Sequence, residues 1–523
     1  MAENMMTTAA DMQEAGLQGS QEEVDELVKA LGTGSQGDAY GNGAYNDMSA
    51  LRPQSLETTL KVVTASSDHI KLWKTIGKKT AVNTVEEYNI LDRFGGDASP
   101  FFVEGGLPNE QDSSYVRKSA MVKFLGTTRS VTHPATLVRT AGVGDIVARE
   151  AQNGVEWLLM QIERALFYGD SSLNSLAWDG ILAQMTNFLG KPYFKGATGN
   201  TPTGLSAEQF IDMRNGTLAQ AAFEDGANII YENMGRAKVF QTSPAVRKDL
   251  SKILFPNQRV IMPGSVGTLG TGELNTYESN AGPIRLEANL FLRPLGGYKQ
   301  VADNGSPATP AVPASNITAA ADATSKFKTN DGGVYGNANW DSTGTYYYFI
   351  SAKNSVGESV PVAAGNIAVG DGQAVSIVFN RVVSSPAAQS YRIYRGKKAD
   401  GSDALYMDEV ADAGAPAGAT QTYVDRNFKI PGTYDGFMLD TDPEKGMAFK
   451  QLAPLMKLPL ARISAAERFM ILLYGMPIVY NPRTNVYYFN IGVTGGAVAR
   501  NLFDADFRPS NGTIQPVTGT NIN

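Results

Sequence analysis

Hydrophobic and polar positions are most regularly spaced between Asp145 and Tyr168. Apolar side chains recur there at steps of three and four: Val147, Ala151, Val155, Leu158, Leu159, Ile162, Ala165 and Leu166. This spacing places them on one face of a helix. Asp145 is a suitable N-cap, and Gly169 is a suitable residue to end the helix. The pattern therefore predicts a long amphipathic helix over about 145–168.

The chain between Thr80 and Thr136 has the pattern of extended strands instead. Its two arms read AVNTVEEYNIL and SSYVRKSAMVKFLGTTRSV, and a Gly-rich stretch separates them. In the second arm Ala120, Val122 and Phe124 alternate with other residues, as in a strand with two different faces. We predict a long β-hairpin over this segment. A hairpin within an ordinary sheet is the alternative that the segment alone leaves open.

Local signals predict further helices and strands. Ser206 and Gln209 form a capping-box pattern, which predicts a helix running toward Gly226. Ser243-Pro244 is typical of a helix start, and this helix should end before Pro256. Strands are predicted at Lys238–Thr242 and Ile284–Leu292. The mixture indicates an α+β domain.

The composition changes near residue 300. Val301–Ile430 contains a single Leu, Leu405, and is rich in Ala, Gly, Ser, Thr, Asn and Tyr. Strand patterns occur there at Thr345–Ala352, Ala374–Val383, Ser390–Arg395 and Gln421–Val424, a spacing suited to a sandwich. After Pro431 the Leu- and Met-rich composition returns, with a predicted helix at Ala465–Tyr474 and strands at Ile478–Tyr480 and Val486–Ile491. Residues 301–431 are therefore predicted to be an all-β sandwich inserted into the α+β domain.

The residue inventory limits the chemistry of the chain. There is no Cys and there are only two His, His69 and His133, which excludes thiolate catalysis and Cys-ligated metals. No nucleophile elbow, P-loop or HExxH motif occurs. Both His residues are predicted to be structural, and Asp440 and Asp442 are predicted to lie in a solvated loop. We therefore predict no catalytic, cofactor or metal site, and a protein that is not an enzyme.

Negative charge is concentrated at the start of the chain. Residues 1–50 carry nine acidic side chains and one Lys, a net charge of −8, which leaves +1 for the rest of the chain's −7. A nearly neutral body argues against a dedicated nucleic-acid reader. Gly32, Gly34 and Gly37 spell GxGxxG, but a predicted helix precedes them, so a linker is the better interpretation. No secretory signal and no membrane span are recognisable, which predicts a cytosolic product.

The order of these elements resembles the major capsid protein of tailed bacteriophages, with its Hong Kong 97-like fold. VKFLGTTRSVTHPATLV (Val122–Val138) is similar to the inner arm of that family's extended E-loop. VEWLLMQIERALFYGDSS (Val155–Ser172) is similar to its spine helix, and WDGIL (Trp178–Leu182) to the short element that follows. The resemblance covers about residues 50–300 and 432–500.

This resemblance implies a domain organisation. Residues 1–50 would be an acidic N-terminal arm, and 51–300 with 432–523 the capsid domain. Within that domain the E-loop would occupy about 80–136 and the spine helix about 145–168. The axial domain would take about 205–300 and part of the C-terminal return. Residues 301–431 would be the insertion.

The resemblance also implies a function and its partners. Copies of the chain would assemble as hexamers and pentamers into an icosahedral shell around double-stranded DNA, which the inner face would contact without sequence specificity. Scaffold, portal and decoration proteins would be further partners, and the virion would be assembled in the bacterial cytoplasm without a membrane. Assembly contacts are expected at Val122, Phe124, Leu125, Arg129, Trp157 and Arg164.

The insertion has a resemblance of its own. YYYFISAKNSVGES (Tyr346–Ser359), SYRIYRG (Ser390–Gly396) and YVDRNFKIPGTY (Tyr423–Tyr434) are similar to strands of fibronectin type III and immunoglobulin-like domains, in a different order. The resemblance implies a module on the outer surface. Two other functions stay open. An adhesion protein would have the module at one end of the chain, and a carbohydrate-active enzyme would need a carboxylate pair in a cleft.

Overall fold

A computed structural model describes residues 67–138, 145–190, 208–254, 275–292, 294, 301–313, 316–336, 339–414, 419–462 and 464–494. The acidic segment, its GxGxxG stretch and Ser206 lie outside these residues. Every element named below belongs to one compact unit, Val63–Leu137 with Ile146–Asn523. The described α-helices are α1 (Leu72–Thr75), α2 (His133–Leu137), α3 (Ile146–Tyr168), α4 (Ile181–Leu189), α5 (Gln220–Glu232) and α6 (Pro244–Leu254). Short 3-10 helices lie at Ser67–His69, Leu290–Leu292 and Pro482–Thr484.

The strands of the described chain fall into three groups along the sequence. Before residue 300 they are β1 (Gly77–Thr80), β2 (Val85–Arg93), β3 (Ser114–Met121), β4 (Lys123–Thr132), β5 (Phe210–Asp212), β6 (Val239–Thr242), β7 (Thr276–Ser279) and β8 (Gly282–Ala288). The insertion contains β9 (Ile317–Ala321), β10 (Gly344–Lys353), β11 (Val362–Val369), β12 (Gln373–Asn380), β13 (Ser390–Gly396), β14 (Leu405–Ala411) and β15 (Thr420–Asp425). The return contains β16 (Tyr434–Leu439), β17 (Met447–Pro459), β18 (Ala466–Val479) and β19 (Val486–Ile491).

Two sheets form the body of the host domain, the part outside the insertion. One has the strand order β1-β17-β18-β4, and the other β5-β19-β16-β6-β8-β7. Both sheets combine strands from before the insertion with strands from the return. The chain therefore leaves one domain and re-enters it, as the composition predicts, and the α+β class is confirmed.

The long helix α3 packs its apolar face on the first of these sheets. Leu158, Ile162 and Leu166 are buried and share a core with Phe449 and Ile471 of the sheet. At Gly154 the helix approaches the sheet so closely that a Cβ would lie 2.6 Å from Cδ1 of Ile471. The helix predicted from the hydrophobic period is confirmed.

The extended segment before α3 divides into two parts. Strands β2 and β3 pair antiparallel from Val85 opposite Met121 to Arg93 opposite Ser114, which confirms a hairpin. The prediction that the second arm continues in that hairpin to Thr136 is wrong. Strand β4 pairs with β18 in the body sheet instead, and Val122 between β3 and β4 is buried in the body.

The insertion contains two sheets, β11-β10-β13-β14 and β15-β12-β9. Both contribute to one apolar core, rich in Tyr and Phe, that includes Tyr348, Phe379, Tyr391 and Tyr423. The four predicted strands are confirmed, while β9, β11 and β14 were not predicted. The likeness to immunoglobulin-like domains in particular stays a prediction.

Two predicted helices are wrong. From Phe210 the chain forms strand β5, and Arg214 and Asn215 then have φ values of 42° and 60°, which a helix cannot accommodate. The helix of this region begins only at Gln220. Ala465–Tyr474 belongs to strand β18, which pairs with β17 and β4. From Phe469 to Leu473 its residues are apolar on both faces, so the alternation that marks a half-buried strand is missing.

A buried carboxylate fixes the position of α3. Glu163 is fully buried, and its oxygens accept hydrogen bonds from the backbone N–H of Lys71 (3.1 Å), Leu72 (2.7 Å) and Trp73 (2.9 Å). The side-chain amide of Asn289 donates a fourth, at 2.7 Å. Burial raises the pKa of the Glu163 carboxyl, although these hydrogen bonds act in the opposite direction. One side chain thus joins α3 to α1 and to the end of β8.

Glu163→Ala should destabilise the subunit severely. We expect its free energy of unfolding to fall by about 3 kcal/mol or more, because each buried N–H left without an acceptor costs about 1–3 kcal/mol. Denaturant unfolding of the unassembled subunit measures this loss. Gln152→Ala, on the exposed side of the same helix, is the control and should change stability by less than about 0.5 kcal/mol. Equal losses in the two variants would contradict the role given to Glu163.

Candidate assembly surface

The hairpin of β2 and β3 is mostly exposed to solvent. Val85, Leu91, Tyr115, Val116 and Met121 are all at least 40% exposed although they are apolar or aromatic. A two-stranded hairpin is marginally stable by itself in water. Exposed apolar surface of this extent is typical of a protein interaction site.

The base of the hairpin is anchored to the body. Glu86 Oε1 accepts a 2.7 Å hydrogen bond from Nζ of Lys450 on β17, and this interaction lowers the pKa of the Glu86 carboxyl. Tyr88 packs edge to face on Tyr480 at 5.5 Å between ring centroids. Glu87 pairs with Arg117 across the hairpin instead. The two acids point to opposite faces, as expected for strand neighbours, so they do not form a carboxylate pair.

The tip of the hairpin is a second apolar feature, which the sequence analysis missed. Between β2 and β3 the chain carries large apolar side chains that are 59% to 93% exposed: Phe94, Phe101, Phe102, Val103 and Leu107. The sequence signal was present, because FFV stands in the Gly-rich stretch where polar turn residues are usual. We call these five residues the apolar tip.

The three contact residues predicted on the hairpin return have different environments. Phe124 is 62% exposed on β4 and packs edge to face on Tyr474 of β18, with ring centroids 5.0 Å apart. Leu125 is half-buried and packs on the core under α3. Val122 is buried in the subunit's own core and has little surface to offer a neighbour. Of the three, Phe124 is the side chain that the fold leaves available.

Arg129 on β4 and Trp157 on α3 lie together. The Arg129 guanidinium lies 5.8 Å from the Trp157 ring centroid and pairs with Glu150 at 3.0 Å. Trp157 remains 39% exposed on α3. The structure therefore brings together a predicted hairpin contact and a predicted helix contact on one face of the subunit.

Arg164 lies elsewhere, at the boundary between α3 and the insertion. It lines a cavity of about 660 Å³ together with Lys353, Arg392 and Glu409 of the insertion. Burial lowers the pKa of the Arg164 guanidinium, and the nearby positive charge of Arg392 acts in the same direction. The Arg164 side chain is thus surrounded by groups of its own subunit.

Within the described part of the chain, no group of three or more His, Asp and Glu side chains is placed to hold a metal ion. None of the described helices is long and apolar enough to span a membrane. His69 ends a 3-10 helix, and His133 begins α2. Asp440 is buried, which corrects the prediction of a solvated loop there, and accepts hydrogen bonds from the backbone N–H of Arg236 and Asp442.

Known proteins with a similar sequence are capsid proteins. The family model of the SU10 major capsid protein matches residues 49–306. The major capsid proteins of Staphylococcus phages S25-3 and K are each 25% identical to this chain over 473 residues, covering 88% of this chain and 93% of theirs. A solved chain from Mycobacterium phage Bobi aligns with a TM-score of 0.41 at 6% identity, over 85% of this chain and 98% of its own.

The sequence relatives match along almost their whole length, so the insertion and the return are included in the likeness. The element order of hairpin, long helix, α+β body, insertion and return is the one that the Hong Kong 97-like fold predicts. The family model, the sequence relatives and the element order together support a major capsid protein of a tailed bacteriophage, a structural subunit of the phage head.

Proposed function

We propose that copies of this chain build an icosahedral phage head by docking the hairpin of each subunit on its neighbours. The observation that carries this proposal is the exposed apolar tip on an otherwise weakly supported hairpin. Burying one Phe side chain contributes about 1.5–3 kcal/mol, so several such contacts per subunit stabilise a shell substantially. Hexamers and pentamers are the closed rings in which each hairpin meets a neighbouring copy.

Within this proposal the receiving surface is the edge strand β4 with its surroundings. Phe124 lies on the face of the sheet opposite α3, and Leu125, Arg129 and Trp157 lie on the α3 side. Phe124 and Trp157 supply exposed aromatic area, which is common at the energetic centre of interfaces. Arg129 lies over the ring of Trp157 and adds a charge at the rim. Val122 supports this surface from inside the subunit, and Arg164 lies apart from it, against the insertion.

We also propose the remaining partners from the family. Double-stranded DNA would meet the inner face through non-specific contacts, and scaffold, portal and decoration proteins would join the shell during assembly in the host cytoplasm. The chain would act in all of these as a structural subunit and not as an enzyme. The insertion, with its own core, would form the outer surface of the head.

Removing the aromatic groups of the tip should impair assembly. In Phe101→Ser combined with Phe102→Ser, we expect at least a tenfold drop in closed shells, counted by negative-stain microscopy and sedimentation, with unchanged circular dichroism. The control is Val356→Ser, which removes an exposed apolar side chain from the insertion. Normal shell yield in the double variant would overturn the role of the tip.

A charge at Phe124 tests the receiving surface on the side of β4 opposite α3. Phe124→Asp should give a folded subunit that assembles poorly, because an unpaired carboxylate buried in an apolar contact is costly. Val356→Asp introduces the same charge at a similarly exposed site on the insertion and should assemble normally. Folding is compared by thermal unfolding of the unassembled subunits. Wild-type shell yield from Phe124→Asp would exclude Phe124 and its side of β4 from the contact.

An epitope tag tests the outward position of the insertion. The exposed turn at Lys398–Asp400, between β13 and β14, can accept an inserted tag. We expect a tag antibody to decorate intact particles viewed by electron microscopy. Disrupted particles serve as the control for tag recognition. Binding only after disruption would place the insertion inside the shell.

A further inference from the structure

The insertion is attached to the host domain through a side chain that the host contributes. Arg214 follows strand β5 of the host, and its side chain is only 2% exposed. Its backbone is held in the left-handed region with φ of 42°, which is uncommon for a residue other than Gly. A bulky side chain held in this conformation is a sign that surrounding contacts fix it.

The guanidinium of Arg214 is surrounded by groups of the insertion. It pairs with both carboxylate oxygens of Asp331, through Nε at 3.1 Å and through Nη2. Nη1 donates to the carbonyl of Asn427 at 2.7 Å, and Nη2 donates to the carbonyl of Lys326 at 2.9 Å. The ring of Trp340 lies 5.6 Å away. Asp212 of the host also pairs with Nη1, at 3.6 Å, while the bidentate carboxylate and both carbonyl acceptors belong to the insertion.

These acceptors connect Arg214 to the core of the sandwich. The side chain of Asn427 donates to Asp331 at 3.3 Å and accepts from Arg395 at 2.8 Å. Arg395 in turn pairs with Asp425 at 2.7 Å, and the hydroxyl of Tyr348 in the sandwich core donates to Asp425. A continuous chain of hydrogen bonds therefore joins the host turn after β5 to strands β10, β13 and β15.

The backbones around Arg214 approach as closely as Gly permits. A Cβ on Gly336 of the insertion would lie 2.8 Å from the carbonyl oxygen of Met213 and 2.9 Å from that of Arg214. A Cβ on Gly216 would lie 2.7 Å from Cα of Gly336. Beside this contact the hydroxyl of Tyr335 donates to Asp225 on α5. We call the contact of residues 212–216 with 326–336 and 427 the seat of the insertion.

A second contact between the two parts encloses a cavity. The cavity lined by Arg164 separates α3 from strands β10, β13 and β14. The acids on the insertion side already have partners there, since Glu409 pairs with Lys353 and Arg392. The seat is therefore the close-packed contact, and Arg214 is at its centre.

We propose that Arg214 locks the insertion onto the host domain, so that each capsid subunit carries it as a fixed arm and not as a tethered module. A guanidinium with planar, bidentate geometry is suited to this role, and neither Lys nor an apolar residue of similar length can reproduce it. Removing it leaves Asp331 buried and without its cation, which is strongly unfavourable. The lock is a property of the single subunit and does not depend on where the insertion faces in a shell.

Hydrogen exchange on the full chain tests the proposal. In Arg214→Met, amides of the seat at 326–336 should exchange at least tenfold faster than in the wild type, while strands β10 and β13 keep their protection. Arg381→Met is the matched control, because Arg381 is an equally buried partner of an aspartate, Asp412, within the insertion. It should leave the seat protected.

Two outcomes would overturn the lock. One is wild-type exchange at the seat in Arg214→Met, and the other is the same acceleration in Arg381→Met. If Arg214→Met does not fold, Tyr335→Phe removes only the hydrogen bond to Asp225 and should raise exchange at 331–336 by a smaller factor. Protection unchanged in that variant would count against the proposal. Particle microscopy adds a further readout, since the insertion should lose density in Arg214→Met shells while the host domain stays ordered.

Discussion

The fold depends on one buried carboxylate. Glu163 has no exposure to water and receives four N–H groups from two other parts of the chain. An acid in such a place is tolerated only if its acceptor capacity is used, and here it is used to hold α1 and the end of β8 against α3. Because α3 also covers the sheet that contains β4, Glu163 contributes to the position of the sheet from which the hairpin extends.

In the hairpin, unlike at Glu163, the side chains do not all find partners within the described part of the subunit. Its base is fixed by the Glu86–Lys450 pair and by burial of Val122, but its tip exposes apolar side chains without a partner in the described part of the subunit. Exposed apolar surface has a free-energy cost in the monomer, and that cost is removed when another surface covers it. Contacts within the subunit therefore hold the base of the hairpin, and the apolar side chains of its tip are left for a neighbouring subunit to cover.

Sequence reasoning succeeded where one local pattern determined the structure. The period of Leu158, Ile162 and Leu166 predicted α3, because a helix on a sheet needs one apolar face. It failed at β18, since Phe469–Leu473 is apolar at every position and shows no alternation along the sequence, although its burial alternates in the structure. The capping-box signal at Ser206 was equally local, and the left-handed backbone at Arg214 overrode it.

The insertion has one feature that the sequence predicts and one that it does not. Its Leu-poor composition marked it as a separate module, and its own Tyr-rich core explains why that signal is strong. Nothing in the sequence indicated the role of Arg214, because its partners in the insertion are 112 to 213 residues away along the chain. A module with its own core needs only a small contact to be oriented on a host. One bidentate ion pair, backed by Gly contacts, is suited to such an orientation, and the turn that carries it has left-handed backbone at both Arg214 and Asn215.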